Sequence, residues 1–355
     1  YNKPMLTLPG LIDPHVHPRG LPTDEYKEDY TTCTKAALAG GFTTIMDMPN
    51  NIKEPTLTYE RLLEKQKIAK GKIVCDVGFY FGSIGTHNED FAKVQNLVFG
   101  LKVFLSYSTG GLIVDFPTFE KIAADWPAEH PILLHTEGDT VTRAIEISSQ
   151  TGHHTHICHV STEAELQQII DAKKQGVHVT CGTCPHYLFL TEDDTTTLGP
   201  FGRMKPFLKT KKDQNFLWAH LDMIDMIESD HAPHTKEEKM QEIPPTGVTG
   251  LETTLGLLLT AKKEGKMTLE QIIDKCYTQP KNVFHIPTDE NTTIEVDERE
   301  EWTVENGKLF TKPNWSPFDG WKLTGKVKKV FIRGEKVFEN GEILAKPGNA
   351  RIIEP

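Results

Sequence analysis

Short apolar runs of strand length alternate with longer amphipathic stretches through most of this chain of 355 residues. Eight runs have the length and composition of strands, near residues 6–13, 43–48, 74–81, 100–105, 131–135, 155–160, 177–182 and 223–228. Helical candidates lie between them, for example at 58–70, 118–125, 139–150 and 162–175. Strands that alternate with helices form parallel sheets, and eight such units close into a barrel. The pattern predicts an α/β fold, a (β/α)8 TIM-like barrel.

The chain changes character after the predicted barrel. A long helical region follows residue 252, and the runs KVKKVFIRG and EKVFENGEIL then alternate as β-hairpins do, with Asn340 and Gly341 as a tight turn. We therefore predict a barrel domain over residues 6–285 and a C-terminal extension over 286–355. Its hairpins would pack beside the barrel, in a small β appendage formed from the chain ends.

Composition excludes several functional classes. The net charge of −11 is spread along the chain, which argues against a nucleic-acid partner. No run approaches the roughly 20 apolar residues of a membrane span, and no leader opens the chain, so we expect a cytoplasmic protein without a membrane partner. The cysteines are sparse and lie mostly in apolar runs, as reduced thiols do, and Cys181 and Cys184 are interpreted as packing residues.

Residue types that bind metals fall at the ends of four predicted strands. His15 and His17 are two residues apart on the first strand, so they point to the same side of it. His135 ends the fifth strand, His159 ends the sixth, and Asp230 follows the eighth. Alone, each would be read as a core residue, a rim residue or a helix cap. Catalytic groups of such barrels lie at the carboxyl ends of strands, so convergence on one mouth predicts a metal site.

Lys102 lies within the apolar run GLKVFL of the fourth strand. An unpaired ammonium buried there would cost several kcal/mol or lose its charge. The residue therefore requires a partner or a covalent modification. The remaining histidines are expected to be structural, including His153, His154 and His156 at the start of the sixth strand.

These residues lie within motifs that resemble those of a known family. The strings LPGLIDPHVHPRG, AALAGGFTTIMDMPN, GLKVFL, ILLHTE, ICHVS, SDHAPHTKEEK and GLETTL occur in the order typical of the dihydroorotases of the amidohydrolase superfamily. The chain is similar in particular to the dihydroorotase domain of the multifunctional chain that also carries carbamoyl-phosphate synthetase and aspartate transcarbamylase. The resemblance runs from about residue 6 to about residue 345.

The resemblance implies a zinc-dependent enzyme that interconverts N-carbamoyl-L-aspartate and L-dihydroorotate in de novo pyrimidine synthesis. It implies two Zn²⁺ ions, one held by His15 and His17 and the other by His135 and His159. A carboxylated Lys102 would bridge them. Two divalent ions ~3.5 Å apart repel by roughly 19 kcal/mol at an effective dielectric of 20, which anionic bridges such as a lysine carbamate and a hydroxide offset.

The resemblance also assigns the residues that act on the substrate. Asp230 would ligate the first zinc ion and serve as the general acid/base for attack by a hydroxide that bridges the metals. Arg19, Asn50 and His234 would hold the substrate carboxylate, to which a guanidinium can donate two parallel hydrogen bonds. Asp13, on the same strand face as His15, would orient a histidine from behind.

The chain departs from the family pattern in the parts that clamp and close. Gly182 stands where animal-type members commonly carry a glutamate that adds a metal contact, and Lys205 stands where an arginine is usual. The segment 106–115 is expected to close over the substrate. Its usual Thr and Phe pairing is replaced around Ser108 and Thr109, and two glycines follow.

Two other functions therefore stay open at the level of sequence. One is a catalytically degenerate dihydroorotase-like domain that serves as a structural or oligomerisation module of a multifunctional protein. The other is a related cyclic amidohydrolase, an allantoinase or dihydropyrimidinase, although Arg19 and His234 favour a substrate with a free carboxylate. Relatives commonly form dimers, so a homodimer is expected. The chain begins without methionine, close to the first strand, which suggests a piece of a longer polypeptide.

Overall fold

The computed structural model describes residues 5–108 and 110–355. The strands of these ranges are, in chain order, β1 Leu6–Pro9, β2 Leu11–Val16, β3 Phe42–Asp47, β4 Asp76–Phe79, β5 Phe81–Gly82, β6 Leu101–Phe104, β7 Ile132–His135, β8 Thr155–Ile157, β9 Val179–Thr183, β10 Met226–Ile227, β11 Thr293–Thr303, β12 Lys322–Ile332, β13 Glu335–Glu339 and β14 Glu342–Ile343. The α-helices are α1 Tyr30–Ala39, α2 Tyr59–Lys70, α3 Phe91–Val94, α4 Phe116–Asp125, α5 Thr140–Gln150, α6 Glu163–Lys174, α7 Pro185–Phe189, α8 Thr195–Leu198, α9 Lys211–Ala219, α10 Lys236–Lys239, α11 Leu251–Lys263, α12 Leu269–Ile273 and α13 Gln279–Val283.

Strands β2 to β10 form the barrel. β2, β3 and β4 make one parallel sheet, and β5 to β10 make a second. Only Tyr80 separates β4 from β5, so these are two halves of the third barrel strand. The barrel closes where Val16 pairs in parallel with His231, just after β10, and the N–H of His17 donates to the His231 carbonyl at 2.8 Å. All eight predicted barrel strands are present, and the predicted fold class is confirmed.

The outer helices bury one face and are capped at their starts. In α6, Thr162 accepts a hydrogen bond from the backbone N–H of Glu165, whose side chain reaches back to the N–H of Thr162. Leu166, Ile169 and Ile170 form its buried face, at the spacing expected of a helix on a sheet. The strands beneath are buried on both sides, as in β2, because helices cover a parallel sheet. None of the described helices is both long and apolar enough to cross a membrane.

The appendage is a five-stranded antiparallel sheet in the order β1, β11, β12, β13, β14. Its N-terminal strand confirms that both chain ends contribute. The predicted single strand over 6–13 is wrong: β1 pairs with β11, and β2 turns away after Gly10 to pair with β3. A Cβ at Gly10 would lie 2.3 Å from the Thr43 hydroxyl, so only glycine allows this close passage.

The predicted turn at Asn340 and Gly341 is confirmed. Both residues have positive φ, 49° and 90°, and they join β13 to β14 between the paired residues Glu339 and Glu342. This is the two-residue turn that an Asn-Gly pair favours in a hairpin. The division of the chain into domains at residue 285 stays a prediction.

Candidate active site

A cavity of about 420 Å³ opens at the carboxyl ends of the barrel strands. Most of the predicted site residues line it, together with other side chains of the rim: His15, His17, Arg19, Asn50, Phe104, Ser108, His135, His159, Lys205, Asp230, Ala232 and Gly247 are among its walls. His234 lies beside it, because a Cβ added to Gly247 would come within 2.9 Å of His234 Cδ2. Lys102 lies on β6, whose end contributes Phe104 to the wall.

His15, His17 and Asp230 form a compact group. One nitrogen from each histidine and one oxygen of Asp230 all lie within 4.8 Å of one another. Nε2 of His17 is 3.2 Å and Nε2 of His15 is 3.4 Å from the same oxygen, Oδ1 of Asp230. Asp230 has a φ of 44°, a left-handed conformation that a residue other than glycine seldom adopts. Backbone strain of this kind often occurs at functional positions.

His135 and His159 form a second pair. Nδ1 of His135 lies 2.9 Å from Nε2 of His159. Nε2 of His135 lies 3.2 Å from the Tyr107 carbonyl, to which it can donate, and this leaves the lone pair of the neutral ring on Nδ1. His159 has a φ of 41°, and its Nδ1 is buried with no hydrogen-bond partner in the described residues.

Lys102 is buried among these groups, with 1% of its surface exposed. Its ammonium donates to Sγ of Cys158 at 3.0 Å and lies 5.1 Å from the centre of the Phe104 ring. Burial raises the pKa of the Cys158 thiol to about 12, so this partner is neutral. Among residues 5–108 and 110–355 the structure gives Lys102 no salt bridge. The need for a stronger partner or a modification, inferred from its apolar strand, therefore persists in the fold.

The acids and imidazoles of the site are far from their ordinary ionisation. Burial raises the pKa of Glu228 to about 8 and the pKa of Asp230 well above its usual value, and the neighbouring Glu228 carboxylate adds to the second shift. Burial lowers the pKa of His15 and His17, so both imidazoles are neutral. Neutral imidazoles and carboxylates are ligands that divalent zinc binds, and its charge would favour the ionised form of these two buried acids. The residues fit the metal site that the sequence predicts.

The three predicted carboxylate-binding residues lie at one side of the cavity. Arg19 is 4% exposed, has a φ of 63°, and donates from Nε to the Pro233 carbonyl at 3.4 Å. In the described part of the chain, Oδ1 of Asn50 and Nε2 of His234 are buried without hydrogen-bond partners. Nδ1 of His234 is 3.3 Å from Glu238. Buried polar atoms of this kind are costly unless a ligand pairs with them.

Sequence reasoning missed Glu228. Asp13, expected to orient a histidine ring, instead accepts from the backbone N–H groups of His15 and Ser229. Glu228 is the carboxylate on the ring of His15, with Oε2 2.9 Å from Nδ1. Nε2 of His156, interpreted from the sequence as structural, lies 2.7 Å from the other oxygen of Glu228. The sequence signal that could have identified Glu228 is its spacing, because a residue two positions before Asp230 at a strand end can face the same side.

The departures on the rim form a separate cluster. Nζ of Lys205 lies 2.8 Å from Oε1 of Glu137, and the same oxygen is 3.6 Å from Nε2 of His135. Burial raises the pKa of Glu137, but hydrogen bonds and charge interactions with His135 and Lys205 outweigh it and lower this pKa to about 2. Ser108 reaches the cavity, whereas Thr109 lies outside the described residues. The expected closing of segment 106–115 stays a prediction.

Comparison with known proteins identifies the family of the chain. Residues 6–337 match the amidohydrolase family, and the chain belongs to that family. It is 36% identical over 375 residues to the dihydroorotase of Pyrococcus horikoshii, a match that covers 99% of this chain and 85% of the relative. It therefore belongs with the dihydroorotases among the cyclic amidohydrolases. The predicted family is confirmed.

Two further similarities place the chain in a wider context. It is 40% identical over 351 residues to the multifunctional protein CAD of Squalus acanthias, covering 97% of this chain and 15% of that protein. The chain thus spans a small part of the length of this relative. The fold is similar to that of the L-hydantoinase (dihydropyrimidinase) of Arthrobacter aurescens, with a TM-score of 0.92, 24% identity and coverage of 99% of this chain and 89% of the other. At that identity the similarity concerns the fold alone.

Proposed function

We propose that this chain is a zinc-dependent dihydroorotase that interconverts N-carbamoyl-L-aspartate and L-dihydroorotate in pyrimidine synthesis. The single observation that carries the proposal is the convergence of His15, His17 and Asp230 with the pair His135 and His159 at one barrel mouth. The relatives named dihydroorotase that match almost the whole chain support this choice of substrate.

The residues present suit two zinc ions. His15, His17 and Asp230 would hold one ion, and His135 and His159 the other. A carboxylated Lys102 would bridge them, which replaces a buried ammonium by an anion and supplies charge between two cations. When bound, the ions would supply Lewis acidity toward water and toward the amide carbonyl.

The side chains of the protein itself would transfer the proton and bind the substrate. Asp230 would take a proton from the attacking water as the C–O bond forms and return it to the ring nitrogen as the C–N bond breaks. In the direction of ring closure the same proton moves the opposite way. Arg19, Asn50 and His234 would fix the substrate carboxylate. The guanidinium of Arg19 and the amide N–H groups of Asn50 would donate to it. Nε2 of His234, buried without a hydrogen-bond partner among the described residues, would gain one as its N–H tautomer.

The setting of the enzyme is also part of the proposal. The similarity to one part of the protein CAD supports a place within a longer multifunctional chain. A homodimer in the cytoplasm, with small molecules as the only substrates, is the expected state.

Metal analysis combined with turnover tests the proposal. The purified protein should contain about two zinc ions per chain, hydrolyse dihydroorotate, and form it from carbamoyl aspartate. A chelator should abolish both reactions and added zinc should restore them. Allantoin and dihydrouracil serve as control substrates, and turnover of either without turnover of dihydroorotate would move the assignment to another cyclic amidohydrolase. A metal-free protein that is inactive in both directions would indicate a structural module.

A further inference from the structure

Glu228 occupies space that exists only because residue 182 is glycine. A Cβ built on Gly182 would lie 1.7 Å from Oε1 of Glu228 and 2.4 Å from its Cδ. Real Cβ atoms do not approach other atoms so closely. Met226 pairs with Gly182 in the ladder between β9 and β10, so Glu228 lies next to the strand end that carries the glycine. The side chain is 1% exposed and has no alternative space in solvent.

The carboxylate of Glu228 links two imidazoles. Oε2 lies 2.9 Å from Nδ1 of His15, and Oε1 lies 2.7 Å from Nε2 of His156. The ionised form of Glu228, which a bound cation would favour, accepts a hydrogen bond from both rings. Nδ1 of His156 faces the hydroxyl of Thr180 at 3.0 Å, so that hydroxyl can donate to it and the imidazole need carry only one proton. His156 therefore holds the carboxylate from the barrel interior, and the other oxygen is directed at His15.

The contact with Glu228 determines the tautomer of His15. Because Nδ1 donates to Glu228, the lone pair of the neutral ring is on Nε2, and Nε2 is the atom that faces Asp230 at 3.4 Å. A carboxylate behind a histidine of this kind orients the ring and increases its basicity toward a metal.

We propose that Glu228 is the positioning residue of His15 and that Gly182 is glycine in order to admit it. The inference rests on the proposed function, since it assigns His15 to a metal. It adds a carboxylate, a histidine and a glycine that the proposed mechanism does not use. In this proposal Glu228 acts on the metal through the ring of His15 and does not contact the substrate.

The first experiment measures zinc affinity by competition with a chelator. Glu228→Gln keeps the size of the side chain but offers one acceptor to two donating imidazoles, so one ring must change its tautomer or lose its bond. We expect the affinity for one of the two zinc ions to fall about 10- to 100-fold. The matched control is Glu252→Gln, a carboxylate that accepts from the backbone N–H groups of Phe310 and Thr311, away from the cavity. Its zinc affinity should equal that of the wild type.

The second experiment tests the role of the glycine in metal-free protein. Gly182→Ala should lower the unfolding temperature in the presence of Glu228, because the new methyl group must displace the carboxylate. In the Glu228→Ala background the same methyl group has space, and its effect should be much smaller. This cycle of two single variants and one double variant needs neither zinc nor turnover.

The outcomes separate the two proposals. If the wild type binds zinc and is active but Glu228→Gln binds both ions with unchanged affinity, the positioning role is wrong and the proposed function stands. If Gly182→Ala costs the same with and without Glu228, the steric pairing is wrong. If the wild type binds no zinc, the proposed function fails and the positioning role fails with it, while the cycle still reports on the pairing.

Discussion

The floor of the cavity and the segment beside it differ in how firmly their side chains are held. We define the floor as His15, His17, Glu228 and Asp230, all of which are less than a tenth exposed and joined by contacts of 2.9 to 3.4 Å. Along segment 106–115, by contrast, Tyr107 is 70% and Ile113 is 44% exposed. Cβ atoms added to either of its two glycines would meet nothing within 4 Å.

This difference in packing suggests that the floor serves to bind metal and that segment 106–115 serves to admit the substrate. The floor side chains come from the ends of two barrel strands, β2 and β10, and contact one another, so one change there disturbs several contacts. Tyr107 and Ile113 of the segment are exposed, and exposed parts of a chain open at low cost in free energy. It still touches the site, through Ser108 at the cavity and the Tyr107 carbonyl on His135. We therefore expect changes in the floor to alter chemistry and changes in the segment to leave stability nearly intact.

The largest effect should come from Asp230 in the floor. Asp230→Ala removes both a metal ligand and the proton carrier, and turnover of dihydroorotate should fall at least about 1000-fold. Circular dichroism should show the fold intact. Asp222→Ala, at an exposed aspartate that precedes β10 and so lies at the opposite end of that strand, is the control and should keep wild-type kcat. Retained turnover in Asp230→Ala would remove this residue from the mechanism.

Alanine substitutions of two aromatic residues, Phe104 at the end of β6 and Tyr107 in segment 106–115, compare the packing of the two regions. Phe104 is 3% exposed with its ring 5.6 Å from His135, and Phe104→Ala should lower the free energy of unfolding by about 3 to 5 kcal/mol. Tyr107→Ala removes an exposed ring and should change it by no more than about 0.5 kcal/mol. Urea denaturation measures both. Equal losses would mean that the segment is as firmly packed as the barrel.

Arg19 lies at the cavity wall, in the position proposed to bind the substrate carboxylate. Arg19→Lys keeps the charge but loses the planar pair of donors, so KM for dihydroorotate should rise about 10-fold or more while kcat changes less. Steady-state kinetics of the purified variant measure both parameters. Arg143→Lys, at a half-exposed arginine on α5, provides the control. An unchanged KM in Arg19→Lys would contradict a role in carboxylate binding.

The smallest effect concerns a carboxylate outside both regions. Burial raises the pKa of Glu252 from 4.5 to about 7. Between these values the folded protein retains a proton that the unfolded chain has released, so stability falls as the pH rises through this window. Glu252→Gln should remove that loss, by about 1 kcal/mol for a partly exposed group.

The unfolding temperatures of the wild type and Glu252→Gln are measured at pH 4.5 and pH 7.5. These values bracket the pH range in which the pKa of Glu252 differs between the folded and unfolded states. A pH dependence shared equally by wild type and variant would assign the effect to another group. A stable variant with normal zinc affinity would show that burial alone does not make a carboxylate part of the site.

Much of the site was predictable because its signals are local. His15 and His17 share a strand face through the two-residue repeat, and Asp230 directly follows an apolar run, so the barrel pattern alone brought them to one mouth. Lys102 was recognisable from its apolar neighbours. The split of the first strand at Gly10 was not recognisable, because two strands in different sheets follow one another with a single residue between them.

The sequence by itself determined the barrel, the appendage from the chain ends and the residue types at the strand ends, because hydrophobic periodicity and turn chemistry act over a few residues. Only the tertiary structure decided which carboxylate meets which histidine. Asp13 was the nearer acid in the chain, yet Glu228 reaches the ring of His15 because β9 presents Gly182 beside it. Such pairings depend on strand register and on free volume between distant segments, and neither quantity can be read from a local pattern.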